Sequence, residues 1–192
     1  MKRLFAIPAL LAVAGCTPQS VMTAWHWRDF IAHPDAGHYA LLTDGLSGCA
    51  ARACPAMADV SDAMIDDLTA IISARNLIAV QSGMRVYPLV KARGLVAVRL
   101  ARRLAAVADE NASIYLWAAT AENFDDDVVV AIPAGMDGNY RGQYDLFRAR
   151  RENIAAVTTP ALRAARDKAL ARLDHDIAPL EDYVERGPRP IA

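Results

Sequence analysis

The sequence predicts an α+β domain: a small mixed β-sheet of about four strands, with amphipathic helices packed on it and a helical C-terminus. Two stretches, 59–75 and 92–108, repeat apolar residues at helical spacing. Short runs rich in β-branched and aromatic residues lie between and after them, and such runs favour strands. Beyond residue 132 these runs stop. The 54% hydrophobic fraction also depends heavily on alanine, a strong helix former.

The N-terminus has the layout of a secretory signal peptide. Lys2 and Arg3 precede a mainly apolar stretch, residues 4–13. In a helix this stretch would span about 15 Å, which is half of the hydrocarbon core of a bilayer, so it is too short to cross a membrane. A basic start, a short apolar run and small residues after it predict an exported precursor.

The small residues Val13, Ala14 and Gly15 stand directly before Cys16, and this arrangement resembles the lipobox of bacterial lipoproteins. The resemblance implies that Cys16 receives a diacylglycerol and that residues 1–15 are removed, which leaves residues 16–24 as a lipidated tether. Thr17 in place of aspartate resembles the outer-membrane sorting signal of enteric bacteria. We therefore expect a chain anchored in the bilayer through Cys16, on the outer membrane and facing the periplasm.

The rest of the chain predicts a single domain. Residues 25–186 are enough for one periplasmic domain with its own core, and residues 187–192 predict a flexible tail. Acidic and basic side chains are nearly balanced, 22 against 21, so we expect no nucleic acid partner. The sequence contains no phosphate-binding loop and no dinucleotide fingerprint, and we expect no cofactor.

Two cysteines remain after lipidation of Cys16. Cys49 and Cys54 lie five positions apart in the exported part of the chain, where disulfides persist, and Gly48 and Pro55 allow the backbone to bend between them. A structural disulfide is the leading interpretation. The alternatives are a redox-active pair, which normally has C-x-x-C spacing, and a two-thiol metal site without nearby partners.

The first elements are predicted to be a helix and a strand. Trp25, Trp27 and Phe30 belong either at the edge of the core or at the membrane interface. Pro34 and a following glycine end the helix, and residues 38–43 follow as a short strand.

The middle of the chain is predicted to contain a helix followed by two strands. The helix 59–75 has one apolar face and a start that Asp59 or Ser61 can cap. Its apolar face consists of Val60, Met64, Leu68, Ile71 and Ile72. Strands are expected at 77–81 and 84–90, divided by Ser82 and Gly83, with Pro88 placing the second at an edge.

The second half is predicted to contain a hairpin and several helices. Helix 92–108 crosses over to strand 113–120, which pairs with strand 128–132 through an acidic turn, Asp125 to Asp127. The C-terminal helices are expected near 143–157, 160–174 and 176–186. They either pack on the sheet or form a separate hairpin.

Helix 92–108 also carries a basic face. Arg99, Arg102 and Arg103 cluster on a face other than the apolar stripe of Val96, Leu100 and Leu104. These arginines either pair with the aspartates of helix 59–75 or form an interaction face for an acidic partner or for lipid phosphates.

No complete catalytic or metal-binding motif is present. His26, His33 and His38 lie close together in sequence with Asp35, but their spacings of seven and five do not share one helix face, so we expect no metal site. The side chains that a hydrolase could use are His33, His38, Asp44 and Asp137.

These features favour a membrane-anchored envelope lipoprotein that is not an enzyme and that assists the assembly of an envelope or secretion-type complex by docking on envelope proteins. Two alternatives remain open. An anchored envelope hydrolase would need carboxylates or histidines that converge in a cleft. A small-ligand-binding lipoprotein would need an apolar pocket with a few polar groups.

Overall fold

The computed structural model describes residues 24–46, 60–122 and 124–187, and all of its regular elements are helical. The α-helices are α1 (Ala24–Ala32), α2 (Ala36–Gly45), α3 (Asp62–Ile71), α4 (Leu77–Val90), α5 (Leu95–Glu110), α6 (Ala112–Ala121), α7 (Tyr140–Ala155) and α8 (Arg163–Arg186). Short 3₁₀-helices occupy Asp126–Val130 and Pro160–Leu162. The predicted α+β class is therefore wrong: no β-strand occurs in the described ranges.

Helix α4 replaces both strands predicted at 77–81 and 84–90. It packs against α3, α5 and α6, so its buried residues cover more than half of its circumference and none of its residues is fully exposed. A helix with so wide an apolar face contains short apolar runs that also fit a buried strand. Pro88, interpreted as an edge-strand residue, lies in the last turn of α4.

Gly83 was interpreted as a break between strands, but it is a packing position inside α4. A Cβ atom at this residue would lie 2.6 Å from Cδ1 of Ile72 and 2.9 Å from Cδ2 of Leu104. The absence of a side chain lets α4 approach α3 and α5 closely. Ser82 satisfies its buried hydroxyl by donating to the carbonyl of Ile78.

The predicted hairpin is also helical. Residues 113–120 belong to α6, where Asn111 caps the first turn by accepting a hydrogen bond from the N–H of Ile114. The predicted strand 128–132 begins as the 3₁₀-helix Asp126–Val130 and continues as irregular chain. The predicted strand 38–43 lies within α2.

The two helices with clear amphipathic periods are confirmed. Ser61 caps α3 through the N–H of Met64, and the predicted face of α3 is buried apart from the partly exposed Ile71. In α5 the stripe of Val96, Leu100 and Leu104 is buried as predicted. At the C-terminus, the 3₁₀-helix Pro160–Leu162 and one continuous helix, α8, replace the two helices predicted at 160–174 and 176–186, and α8 pairs with α7.

A buried arginine joins α7 to the middle of the chain. The guanidinium of Arg150 is 1% exposed and donates two parallel hydrogen bonds to the carboxylate of Asp109, at 2.7 and 2.8 Å. Its Nη1 also donates to the carbonyl oxygens of Val129 and Ala131. Two carbonyls of the segment 128–132 therefore obtain their partners from a side chain rather than from a sheet.

Candidate functional site

The turn between α1 and α2 brings together side chains that are separated in sequence. The N–H of His33 donates to the carbonyl of Asp29, which keeps His33 one helical turn beyond Asp29 and on the same face. Asp35 then caps α2: its Oδ1 accepts from the N–H groups of Gly37 and His38, at 2.9 and 3.0 Å. The cap fixes His38 in the first turn of α2, opposite the end of α1.

The result is a cluster of two imidazoles and two carboxylates, which we call the α1–α2 corner: Asp29, His33, Asp35 and His38. Oδ1 of Asp29 lies 3.7 Å from Nδ1 of His33, and its Oδ2 lies 3.3 Å from Nε2 of His38. The two imidazole rings stack with centroids 5.5 Å apart. One ligand atom from each of Asp29, His33 and His38 lies within 4.8 Å of the other two.

Asp35 faces the opposite side of the His38 ring. Its Oδ1 is 2.9 Å from Nδ1 of His38, but the contact is poorly directed, and Nδ1 is buried without a well-formed hydrogen bond. The backbone N–H of His38 and the nearby imidazole lower the pKa of the Asp35 carboxyl. Asp35 therefore favours its charged form, in which it both caps α2 and faces an imidazole.

The other hydrolase candidates lie elsewhere. Asp44 is an exposed residue near the end of α2. Asp137 is in the loop before α7, where its Oδ2 lies 3.7 Å from Nη2 of Arg102. The structure thus unites His33 and His38 with Asp29, a residue that the sequence analysis did not select. Its i, i+4 spacing to His33 was the signal that could have identified it.

Each arginine of the predicted basic face has an internal partner. Arg99 makes a bidentate ion pair with Asp66 of α3, at 2.8 and 2.7 Å. At this position the arginines of α5 therefore pair with the aspartates of α3. Arg103 donates to the carbonyl of Ile72 and pairs with Glu110. Arg102 pairs with Asp137.

Beside Arg102 lies a groove of about 300 Å³, formed by α4, α5, the 3₁₀-helix Asp126–Val130 and the segment that follows it. Its apolar lining comes from Ala97, Val98, Ala101, Val130, Ala131 and Ile132. Lys91 with Asp127 and Arg102 with Asp137 line its polar part. Two large apolar residues of α5 are exposed here. Val98, which lines the groove, is 41% exposed, and Leu95, one helical turn before it, is 75% exposed.

The acidic run was predicted to be a solvated hairpin turn, and this is wrong. Asp125 caps the 3₁₀-helix, and Lys91 contacts both Asp125 and Asp127. Asp127 also lies 3.3 Å from Nη2 of Arg172 on α8. The run therefore ties α4 to α8 through ion pairs.

The three aromatic residues of α1 divide between core and surface. Trp27 and Phe30 are buried, and the indole N–H of Trp27 donates to the carbonyl of Met64. Trp25 is 64% exposed.

The cysteines lie outside the described residues. This applies to Cys16 and its lipobox as well as to Cys49 and Cys54, so lipidation and the disulfide stay predictions. Among the described helices, none combines the length and the apolar character that crossing a bilayer requires. No protein-family model matches the sequence, and no curated protein or solved structure is significantly similar to it.

Proposed function

We propose that this chain is a lipid-anchored envelope protein that docks on another envelope protein through the groove beside α5, as a non-enzymatic accessory or assembly factor. The anchor rests on the lipobox residues before Cys16. The docking face rests on one structural observation, the exposed apolar surface of Leu95 and Val98 next to a preformed groove.

The anchor would place α1 near the bilayer. The backbone from Cys16 to the start of α1 at Ala24 is short, and even when fully extended it spans at most about 30 Å. Trp25 is then an exposed aromatic ring within reach of the interface, where indoles are favoured.

The chemistry of the groove favours a polypeptide as the occupant. Its floor is apolar, and the cations that line it, Lys91 and Arg102, already face the carboxylates of Asp127 and Asp137. A phosphate or a lipid headgroup would have to displace these carboxylates. A protein segment that inserts an apolar side chain beside Val98 leaves both ion pairs intact and buries the exposed surface.

The anchor is tested with Cys16→Ser, which removes the thiol that would accept diacylglycerol. We expect the wild-type chain to sediment with membranes and to incorporate labelled fatty acid, and the variant to do neither. Wild-type protein found soluble in the periplasm with a free Cys16 thiol would contradict the anchor.

The docking face is tested by placing a photo-crosslinking residue at Val98 or, as a control, at Leu41, an equally accessible apolar residue on α2. We expect one discrete adduct with an envelope protein from position 98 and not from position 41. The adduct should disappear when Leu95→Glu is added and should be reproduced from a crosslinker on the identified partner. Identical adduct patterns from both positions would exclude a specific dock at this groove.

A small-ligand-binding function is the second candidate, because a groove of about 300 Å³ with apolar walls and a few polar groups lies at the lower limit for such sites. A small molecule that remains bound in native mass spectrometry of the wild-type chain, and is lost in Ala101→Trp, would favour this function over protein docking.

A further inference from the structure

We propose that the α1–α2 corner binds one divalent transition-metal ion of the zinc class through Asp29, His33 and His38, with Asp35 as the outer carboxylate. Imidazole and carboxylate are ligands that such ions accept, and three protein ligands with one open position form a recurrent zinc arrangement. This site is separate from the groove beside α5, and it does not depend on the docking function.

The distances allow an ion to enter with small side-chain movements. In a tetrahedral site with ordinary zinc bond lengths, neighbouring ligand atoms lie about 3.3 Å apart. Oδ2 of Asp29 is 3.3 Å from Nε2 of His38, and Oδ1 of Asp29 is 3.7 Å from Nδ1 of His33. An ion between the two imidazoles would therefore be held by both carboxylate oxygens, or by one of them after a small rotation of the carboxylate. Since the side chain of His33 is 66% exposed, it can rotate towards the other two without disturbing the core.

The orientation of His38 also fits a metal ligand. Its Nε2 faces Asp29, while its Nδ1 faces Asp35 at 2.9 Å. Metal-ligating histidines usually direct the nitrogen that does not bind the metal towards a carboxylate, which fixes the ring and makes the ligand nitrogen more basic. A slight rotation of the ring on metal binding would give Nδ1 the hydrogen bond that it lacks.

Charge favours a cation at this position. With both imidazoles neutral, Asp29 and Asp35 give the corner two negative charges. A divalent ion would neutralise them, which an uncharged ligand cannot do.

The turn between α1 and α2 brings these ligands together although their spacing argues against a metal site. Spacings of seven and five do not place the histidines on one face of a single helix, but two helices contribute here. Asp29 and His33 share a face at the end of α1, and the Asp35 cap returns the chain so that His38 approaches from α2. An ion bound here would join α1 to α2 across the turn.

The experiment uses the wild-type chain purified from membranes in detergent, without a polyhistidine tag. Zn²⁺ is titrated by calorimetry, and Co²⁺ is titrated while its visible absorption is recorded, since the spectrum reports the coordination number. We expect one ion per chain with a dissociation constant in the micromolar range or tighter, and a cobalt spectrum of four or five ligands.

His33→Ala and His38→Ala should each abolish the saturable binding. Asp35→Asn keeps the helix cap but loses the charged outer carboxylate, and we expect its affinity for Zn²⁺ to fall by about tenfold. His175→Ala, an exposed histidine of α8, is the matched control and should bind as the wild type does. Cys49→Ser with Cys54→Ser should also bind normally, which separates this site from the thiols.

The site would be excluded by several results: no saturable uptake up to millimolar Zn²⁺, unchanged binding in His33→Ala, or equal losses in His175→Ala. Because His33 is largely exposed, circular dichroism of His33→Ala should match that of the wild type, so loss of binding in this variant reports the ligand and not the fold.

Discussion

Two charged clusters in this molecule, one around Arg150 and the other at the α1–α2 corner, differ in how completely their polar atoms are satisfied. The guanidinium of Arg150 is buried, and its donors reach a carboxylate and two backbone carbonyls. In the corner, Nδ1 of His38 lacks a well-formed hydrogen bond, and His33 lies mostly in solvent. We call a cluster closed when its polar atoms all have partners within the protein, and open when some do not. A closed cluster has no free polar atoms for a ligand, whereas an open cluster with excess acceptors can bind a cation.

The largest effect is expected when the closed cluster is broken. Arg150→Met should lower the free energy of unfolding by about 3 kcal/mol, because Asp109 and the carbonyls of Val129 and Ala131 lose their donor. The neighbouring Arg151 pairs with Asp174 in a largely exposed ion pair, so Arg151→Met should cost less than about 1 kcal/mol. Urea unfolding of both variants measures the difference. Equal losses of unfolding free energy in the two variants would mean that the buried hydrogen bonds of Arg150 do not stabilise the fold more than an exposed ion pair does.

Two glycines, Gly83 in α4 and Gly37 in the α1–α2 corner, differ in how much space surrounds them. Gly83→Ala should destabilise the protein by about 1–3 kcal/mol, because the new methyl group meets Ile72 and Leu104 at less than van der Waals distance. Gly37→Ala in the corner meets only Oδ1 of Asp35, at 3.4 Å, and should be neutral or slightly stabilising. The melting temperature should therefore fall in Gly83→Ala and should stay unchanged or rise slightly in Gly37→Ala. A neutral Gly83→Ala would show that the side-chain ends of Ile72 and Leu104 can move aside at little cost.

A similar contrast, between helices that have a solvent-facing side and a helix enclosed by its neighbours, explains which elements the sequence predicts. Helices α3 and α5 each have a solvent side, so their apolar residues follow a helical period that can be recognised from sequence alone. Helix α4 is enclosed by its neighbours, and Ser82 and Gly83, which are typical of turns, lie in its middle because a tight helix contact needs small residues. The segment 128–132 looks like a strand because it is apolar and β-branched, but Arg150, which donates to two of its carbonyls, is distant in sequence.

The α1–α2 corner was predicted only in part. His33, His38 and Asp35 were recognised as residues that can ligate a metal, but their spacing was evaluated within a single helix. Convergence depends on the direction in which α2 leaves the turn, and the Asp35 cap and the packing of α1 on α2 determine that direction. Neither follows from residue types alone.

Removing the helix cap at Asp35 should have an intermediate effect on the free energy of unfolding. Asp35→Ala removes the acceptor for the N–H groups of Gly37 and His38 and should cost about 1 kcal/mol, whereas Asp35→Asn should cost only a few tenths. Chemical denaturation in the presence of a chelator measures this cost without any contribution from a bound metal. If both variants lose the same amount, the charge of Asp35 matters for stability more than its role as a cap.

The smallest effect is expected at Asp127, which belongs to the partly exposed ion-pair network around Lys91. The ammonium of Lys91 donates a hydrogen bond to this carboxylate and lowers its pKa below the ordinary value of 3.8. A carboxyl whose pKa is lowered by folding adds stability above the unfolded-state pKa, and this stability is lost as the pH falls through the folded-state pKa. Since Asp127 is more than one-third exposed, Asp127→Asn should cost no more than about 1 kcal/mol at pH 7. The difference from the wild type should narrow as the pH falls below 3.8, and it should be smaller at every pH when Lys91→Met is already present. A difference that stays constant between neutral and acidic pH would show that the side chain of Asp127 acts through packing and not through its charge.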